Sequence, residues 1–212
     1  MKLLLTSGGL SNVSIQKAFR QLTGKSPQDT KVGFVPTAAS AEGGNKDWLI
    51  QDLTKLRVAG FGWIDIVDFS AAGVNWRSRL KAVDVIYVSG GNTFHLLDQA
   101  RKAGFDKWII EALKHKVYVG SSAGSILATP TIAVAGLADH NLPRLKDLEG
   151  LGLVNFEFIP HVPEFIDPNS AEQYGKTTKR AVYVVDDQTA IKVEDDDTTV
   201  ISEGKWSVLN SL

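Results

Sequence analysis

Residues 117–127, Val-Tyr-Val-Gly-Ser-Ser-Ala-Gly-Ser-Ile-Leu, carry the strongest chemical signal of the chain. An apolar run enters Gly-x-Ser-x-Gly and leaves into an apolar helix start, the setting in which a sharp turn holds a serine hydroxyl clear of the sheet. Ser122 is therefore the candidate nucleophile. Gly120 and Gly124 let the backbone pass closely, and the Ala123 N–H is placed to meet an oxyanion. The same residue types also make a loop that only turns the chain or cradles an anion; the strand-turn-helix setting favours the nucleophile. A second segment, Ser89-Gly90-Gly91-Asn92-Thr93-Phe94, follows the apolar run Val85-Ile86-Tyr87-Val88 and opens another helix. In a parallel sheet it shares an edge with Ser122, so Gly91 is the candidate second oxyanion donor. Gly90, Asn92 and Thr93 are the candidate substrate contacts, although Asn92 or Thr93 also suits a helix cap.

A serine nucleophile needs a base. Of the four histidines, His95 falls inside a helical stretch, His115 precedes the Ser122 strand on its far edge, and His140 sits in a polar loop. His161 follows Phe156-Glu157-Phe158-Ile159-Pro160, a strand whose end shares the active edge, and is the expected base. Asp186 and Asp187, between two apolar strands, supply the candidate acid that would fix the imidazole; an acidic hairpin turn is the plainer alternative. The chain order Ser, His, acid differs from the Ser, acid, His order of α/β-hydrolases and argues against that fold.

The elements that must position these groups alternate between two periods. Apolar runs at 2–6, 31–36, 64–69, 83–89, 117–120, 156–160, 181–185, 190–193 and 199–201 read as strands. Stretches at 13–22, 46–58, 76–83, 93–103 and 105–115 carry apolar residues three and four apart and read as helices. The expected fold is a three-layer α/β/α sandwich with a mostly parallel, flavodoxin-like sheet, and the strands from 181 onward added to it as antiparallel hairpins. Irregular stretches are expected at 38–45, at 137–150, and from His161 to about Tyr174.

The 212 residues suit one domain, 1–212. A net charge of −1, with no basic stripe, argues against nucleic acid as a partner. The absence of Cys excludes a thiol nucleophile and thiolate metal sites. Asp195-Asp196-Asp197 reads as a solvated turn rather than a metal site. Met1 to Leu5, with one positive charge and three Leu, falls short of the ~7–15 apolar residues of a signal peptide. The expectation is a soluble, cytoplasmic protein without membrane association.

Taken together, Ser89–Phe94, Gly120-Ser121-Ser122-Ala123-Gly124, Ile159-Pro160-His161 and Asp187-Gln188-Thr189-Ala190-Ile191-Lys192-Val193 resemble the dipeptidase E (α-aspartyl dipeptidase) family of serine peptidases, to which cyanophycinases are related. The resemblance runs from the first strand to about Val193. It implies a fold like class I glutamine amidotransferases, a Ser122–His161–Asp187 triad, small peptide substrates, no cofactor and no metal, and a homodimer. Two positions depart from the family pattern. The third triad position is often Glu followed by Gly, and here it is Asp187 followed by Gln188, with Asp186 as a substitute. The Arg that reads an acidic substrate side chain after the catalytic His has no match, since Lys176 is the only basic residue between His161 and Lys179. These departures leave aspartyl specificity open. The alternatives are an inactive binding or regulatory homologue and an amidase or esterase.

Overall fold

Leu3, Leu4 and Leu5 are all fully buried, yet Leu3 and Leu5 pack into one apolar cluster and Leu4 into another. A strand alternates its side chains, so a continuous apolar run of this kind needs cover on both faces, as a parallel sheet between helices provides. The computed structural model describes residues 1–210 and has that arrangement. Strands β1 (Lys2–Thr6), β2 (Lys31–Val35), β3 (Trp63–Ile66), β4 (Val85–Val88) and β5 (Val117–Ser121) run parallel, and β8 (Thr189–Glu194) and β9 (Asp197–Ser202) complete a seven-stranded sheet of order β3-β2-β4-β5-β1-β8-β9.

Helices α1 (Val13–Thr23) and α2 (Asp47–Val58) cover one face, where Ile15, Phe19, Leu22 and Leu56 meet Leu4, Val32, Phe34 and Tyr87. Helices α3 (Trp76–Lys81), α4 (Thr93–Ala103), α5 (Phe105–Ala112) and α6 (Ala123–Leu127) cover the other. The strand β1 leads to a helix on one face and its neighbour β5 to a helix on the opposite face. The loops leaving these two strands therefore diverge and open a crevice at their C-terminal ends, the usual ligand position in such sheets.

The expectation for the C-terminal strands is half right. β8 joins β1 antiparallel and carries β9 as a hairpin, extending the main sheet. The run at 181–185 does not: β7 (Val182–Val185) lies parallel to β6 (Glu157–Ile159) and antiparallel to β10 (Trp206–Leu209) in a separate three-stranded sheet. The reason is a crossover helix, α7 (Pro168–Gly175), inside the stretch expected to be irregular. Asp167 caps it by accepting from the Ser170 N–H, and Pro168 occupies its first turn. Only Ala171 and Gly175 of α7 are buried, too few to show a helical apolar stripe. The strand β10 escapes for a similar reason, being largely exposed. Asp195 and Asp196 form the turn between β8 and β9, where Asp195 pairs with the N-terminal amine.

Candidate active site

Ser122, His161 and Asp187 come from three separate strand ends and meet in a chain of hydrogen bonds. His161 Nε2 lies 2.8 Å from Ser122 Oγ, and His161 Nδ1 lies 2.6 Å from Asp187 Oδ1. Asp186 is turned elsewhere: it accepts from Thr189 Oγ1 at 2.8 Å and from the Gln188 N–H at 3.0 Å, and so holds the turn into β8. The Asp187 carboxyl is pushed up by burial, but hydrogen bonds from His161 and Ser7 and the His161 charge outweigh this and hold it below the usual carboxylate value.

The elbow is fixed by its neighbours. Ser122 has φ 50° and ψ −109°, a conformation that side-chain-bearing residues seldom adopt, and His161 has φ 61°. The Ser122 N–H donates to Thr6 O at 2.9 Å, Ser125 Oγ donates to the same oxygen at 2.8 Å, and Tyr118 OH donates to Gly124 O at 2.6 Å. Gly120 and Gly124 are required by close approach. A Cβ on Gly120 would sit 2.6 Å from Ser125 N, and one on Gly124 would collide with the Val88 carbonyl. Ala123 opens α6, so its N–H has no intrahelical acceptor. Gly91 has φ 125° and packs against the Ala38 backbone.

A cavity of about 650 Å³ opens over Ser122, His161 and Asp187. Gly90 and Gly91 line it. Asn92 does not; its Oδ1 accepts from the His95 N–H at 2.9 Å and its Nδ2 donates to His140 O at 3.0 Å, so the side chain caps α4. Thr93 borders a smaller neighbouring cavity, and its buried hydroxyl has no hydrogen-bond partner among the described residues. His95 lies in α4, and His115 and His140 lie in loops; none lines either cavity. Among the described residues no group of three or more His, Cys, Asp or Glu could hold a metal ion, and no helix is long and apolar enough to cross a membrane.

The profile of peptidase family S51 matches residues 3–201. The chain belongs to peptidase family S51. It is 34% identical over 187 residues to an uncharacterised peptidase of Listeria innocua, covering 84% of this chain and 88% of that one. It is 27% identical over 214 residues to a peptidase E of Streptomyces coelicolor, covering 97% and 79% of the two chains. A crystal structure of a candidate peptidase E protein from Listeria monocytogenes superposes with a TM-score of 0.83 at 26% identity, covering 96% of this chain and 98% of that one. The fold and the serine peptidase class expected from the sequence are thereby established.

This S51 peptidase also gathers residues that sequence patterns did not single out. Ser7 Oγ donates to Asp187 Oδ1 at 2.6 Å and accepts from the His161 N–H at 2.9 Å. The sequence carries a signal for it: Thr6-Ser7-Gly8-Gly9 at the end of β1 repeats the form of Val88-Ser89-Gly90-Gly91 at the end of β4. Trp48, Gln51, Asp52 and Lys55 of α2 line the large cavity. Asp52 is only 6% exposed, beside the buried Tyr87 hydroxyl; burial pushes its carboxyl up, against the pull of Lys55 and of the Ser121 and Tyr87 hydroxyls. Its signal is a carboxylate four residues before Leu56, on the face that α2 buries. Asp139, in the loop after α6, accepts from the Thr93 N–H at 2.7 Å and borders both cavities.

Proposed function

We propose that this S51 peptidase hydrolyses short peptides through an acyl-enzyme formed on Ser122. In this reading His161 Nε2 takes the Ser122 proton as Oγ bonds to the peptide carbonyl carbon. The carbonyl oxygen becomes an oxyanion held by the Gly91 and Ala123 N–H groups. The C–N bond then breaks as His161 returns the proton to the leaving amine. Water, deprotonated by His161, attacks the ester carbonyl, and the acyl C–Oγ bond breaks as His161 returns that proton to Ser122 Oγ. Asp187 orients the imidazole and balances its charge. The observation that carries the reading is the Ser122–His161–Asp187 relay, with contacts of 2.8 and 2.6 Å. A cavity of about 650 Å³ suits a small peptide and not a folded protein chain. The reading takes residues 1–212 as one domain, cytoplasmic and without a cofactor.

The test is intact-mass spectrometry after incubation with a fluorophosphonate probe. Wild type should gain one adduct, while Ser122→Ala and His161→Ala, both folded by circular dichroism, should not. A folded wild type that never labels would overturn the reading and favour a binding role for the same cavity.

A further inference from the structure

A second cavity of about 390 Å³ adjoins the first, and the two share Ser122, His161, Asp139 and Phe165 as borders. The rest of the wall is mostly apolar, its one further polar side chain being Thr93, whose buried hydroxyl has no hydrogen-bond partner among the described residues. Ile126 comes from α6, Val134, Ala135 and Leu137 from the 3₁₀ turn at Ala133–Leu137, and Ile166 from the loop after His161. Ile126, Val134, Ala135 and Ile166 belong to the main core, so this wall is already built before any ligand arrives. No Lys or Arg lines it among the described residues, and the one acidic side chain at its border is Asp139. The basic side chain that lines the active-site cavities, Lys55, lies in the larger one, where its Nζ donates to Gly8 O at 2.9 Å. Lys176, in the segment where an acid-reading cation was sought, is exposed and lines neither cavity.

We propose that this cavity receives the side chain of the residue whose carbonyl Ser122 attacks, and that it selects an apolar one. The preferred substrates are then dipeptides with an aliphatic or aromatic N-terminal residue. The inference rests on the acyl-transfer reading above and gives it a substrate class. An acidic side chain placed here would lose water, find no cation and face Asp139, whereas an apolar one exchanges water for a preformed, mostly apolar wall. The volume lies near the low end of ligand sites, which run from about 300 to 1,000 Å³, and so fits one side chain. Asp139 at the shared border also supplies a counter-charge for the free amine, which in a dipeptide is bonded to the same Cα as that side chain. Phe165, 78% exposed and edge-on to the His161 ring at 5.4 Å, stands where such a side chain would cover it.

The experiment measures kcat/KM for Leu-Ala, Phe-Ala, Asp-Ala and Lys-Ala, with wild type and Ala138→Arg, which adds a cation at an exposed position on the border. Leu-Ala and Phe-Ala should exceed Asp-Ala by about tenfold or more in wild type, the scale of discrimination an apolar pocket gives. Ala138→Arg should move that ratio toward Asp-Ala. Wild type that cleaves Asp-Ala as well as Leu-Ala, or a ratio that Ala138→Arg leaves in place, would overturn the proposal. Calorimetric titration of Ser122→Ala with Leu-Ala and Asp-Ala reads the subsite without chemistry. Tighter binding of Leu-Ala supports it even if the fluorophosphonate experiment defeats the triad, and equal or weaker binding overturns it even if the triad stands.

Discussion

Two adjacent aspartates in one turn have opposite work to do, and their hydrogen bonds separate them. Asp187 Oδ1 faces His161 Nδ1, while Asp186 holds the Gln188 N–H and the Thr189 hydroxyl. Asp187→Asn should therefore lower kcat by about 10³–10⁴ with the fold retained, because an amide beside Nδ1 favours the wrong tautomer. Asp186→Asn should instead lower the melting temperature and leave kcat within a few-fold. Steady-state kinetics and thermal denaturation of the two variants check the assignment. In the proposed mechanism Ser7 acts as a positioning residue, since its hydroxyl, at the edge of the cavity, is engaged by Asp187 and the His161 N–H. Ser7→Ala should cost about tenfold in kcat, roughly 1.4 kcal/mol, with KM little changed. Ser7→Thr should restore most of it, and a KM effect without a kcat effect would refute the positioning role.

At the scale of elements, the elbow between β5 and α6 is a strained turn held by groups around it. Tyr118→Phe removes the side-chain donor that the buried Gly124 carbonyl has among the described residues and should lower stability by about 1–3 kcal/mol, read by urea denaturation. Gly124→Ala is a harsher change, because its Cβ would meet the Val88 carbonyl of the neighbouring strand β4. That variant should either fail to accumulate as folded protein or lose at least about 100-fold in rate, the scale of losing an oxyanion donor, as α6 is pushed off the sheet. Activity near wild type in folded Gly124→Ala would show that the elbow tolerates displacement.

Across the whole molecule, the buried Asp52 and the half-buried Asp139 and Asp187 give stability a pH dependence of two signs. Asp187 sits below its ordinary value of 3.8, so its contribution is complete above that pH and is lost as pH falls through the lower folded value. Asp52 and Asp139 are raised by burial, so their effect is favourable below the ordinary value and is lost as pH rises through the folded values. Asp52→Asn removes one such cost. The melting temperature of Asp52→Asn relative to wild type should climb between pH 4 and pH 7, and a difference that is flat with pH would contradict the buried, raised carboxyl.

The sequence by itself determined what is local. A strand, its glycine turn and the following helix start lie within about ten residues, so the Ser122 elbow and the Gly90-Gly91 loop were legible, as were the alternating periods of the parallel sheet. His161, with Asp186 or Asp187, followed as candidates because serine chemistry needs a base and an acid, and few residues of the right type end a strand. Tertiary structure decided what depends on packing across distant segments. Ser7 meets Asp187 across 180 positions, and Asp52 reaches the cavity because α2 packs against Gly8 and Gly9 after β1 and the Tyr87 hydroxyl of β4, neither of which any sequence window contains. The choice of Asp187 over Asp186 is likewise a matter of which carboxylate the turn points at His161. The helix α7 and the separate sheet it creates stayed hidden because α7 buries two small residues, so no apolar period marks it. Local patterns specify elements through nearest-neighbour sterics and burial, while a site assembled from several strand ends exists only once the sheet has set their order.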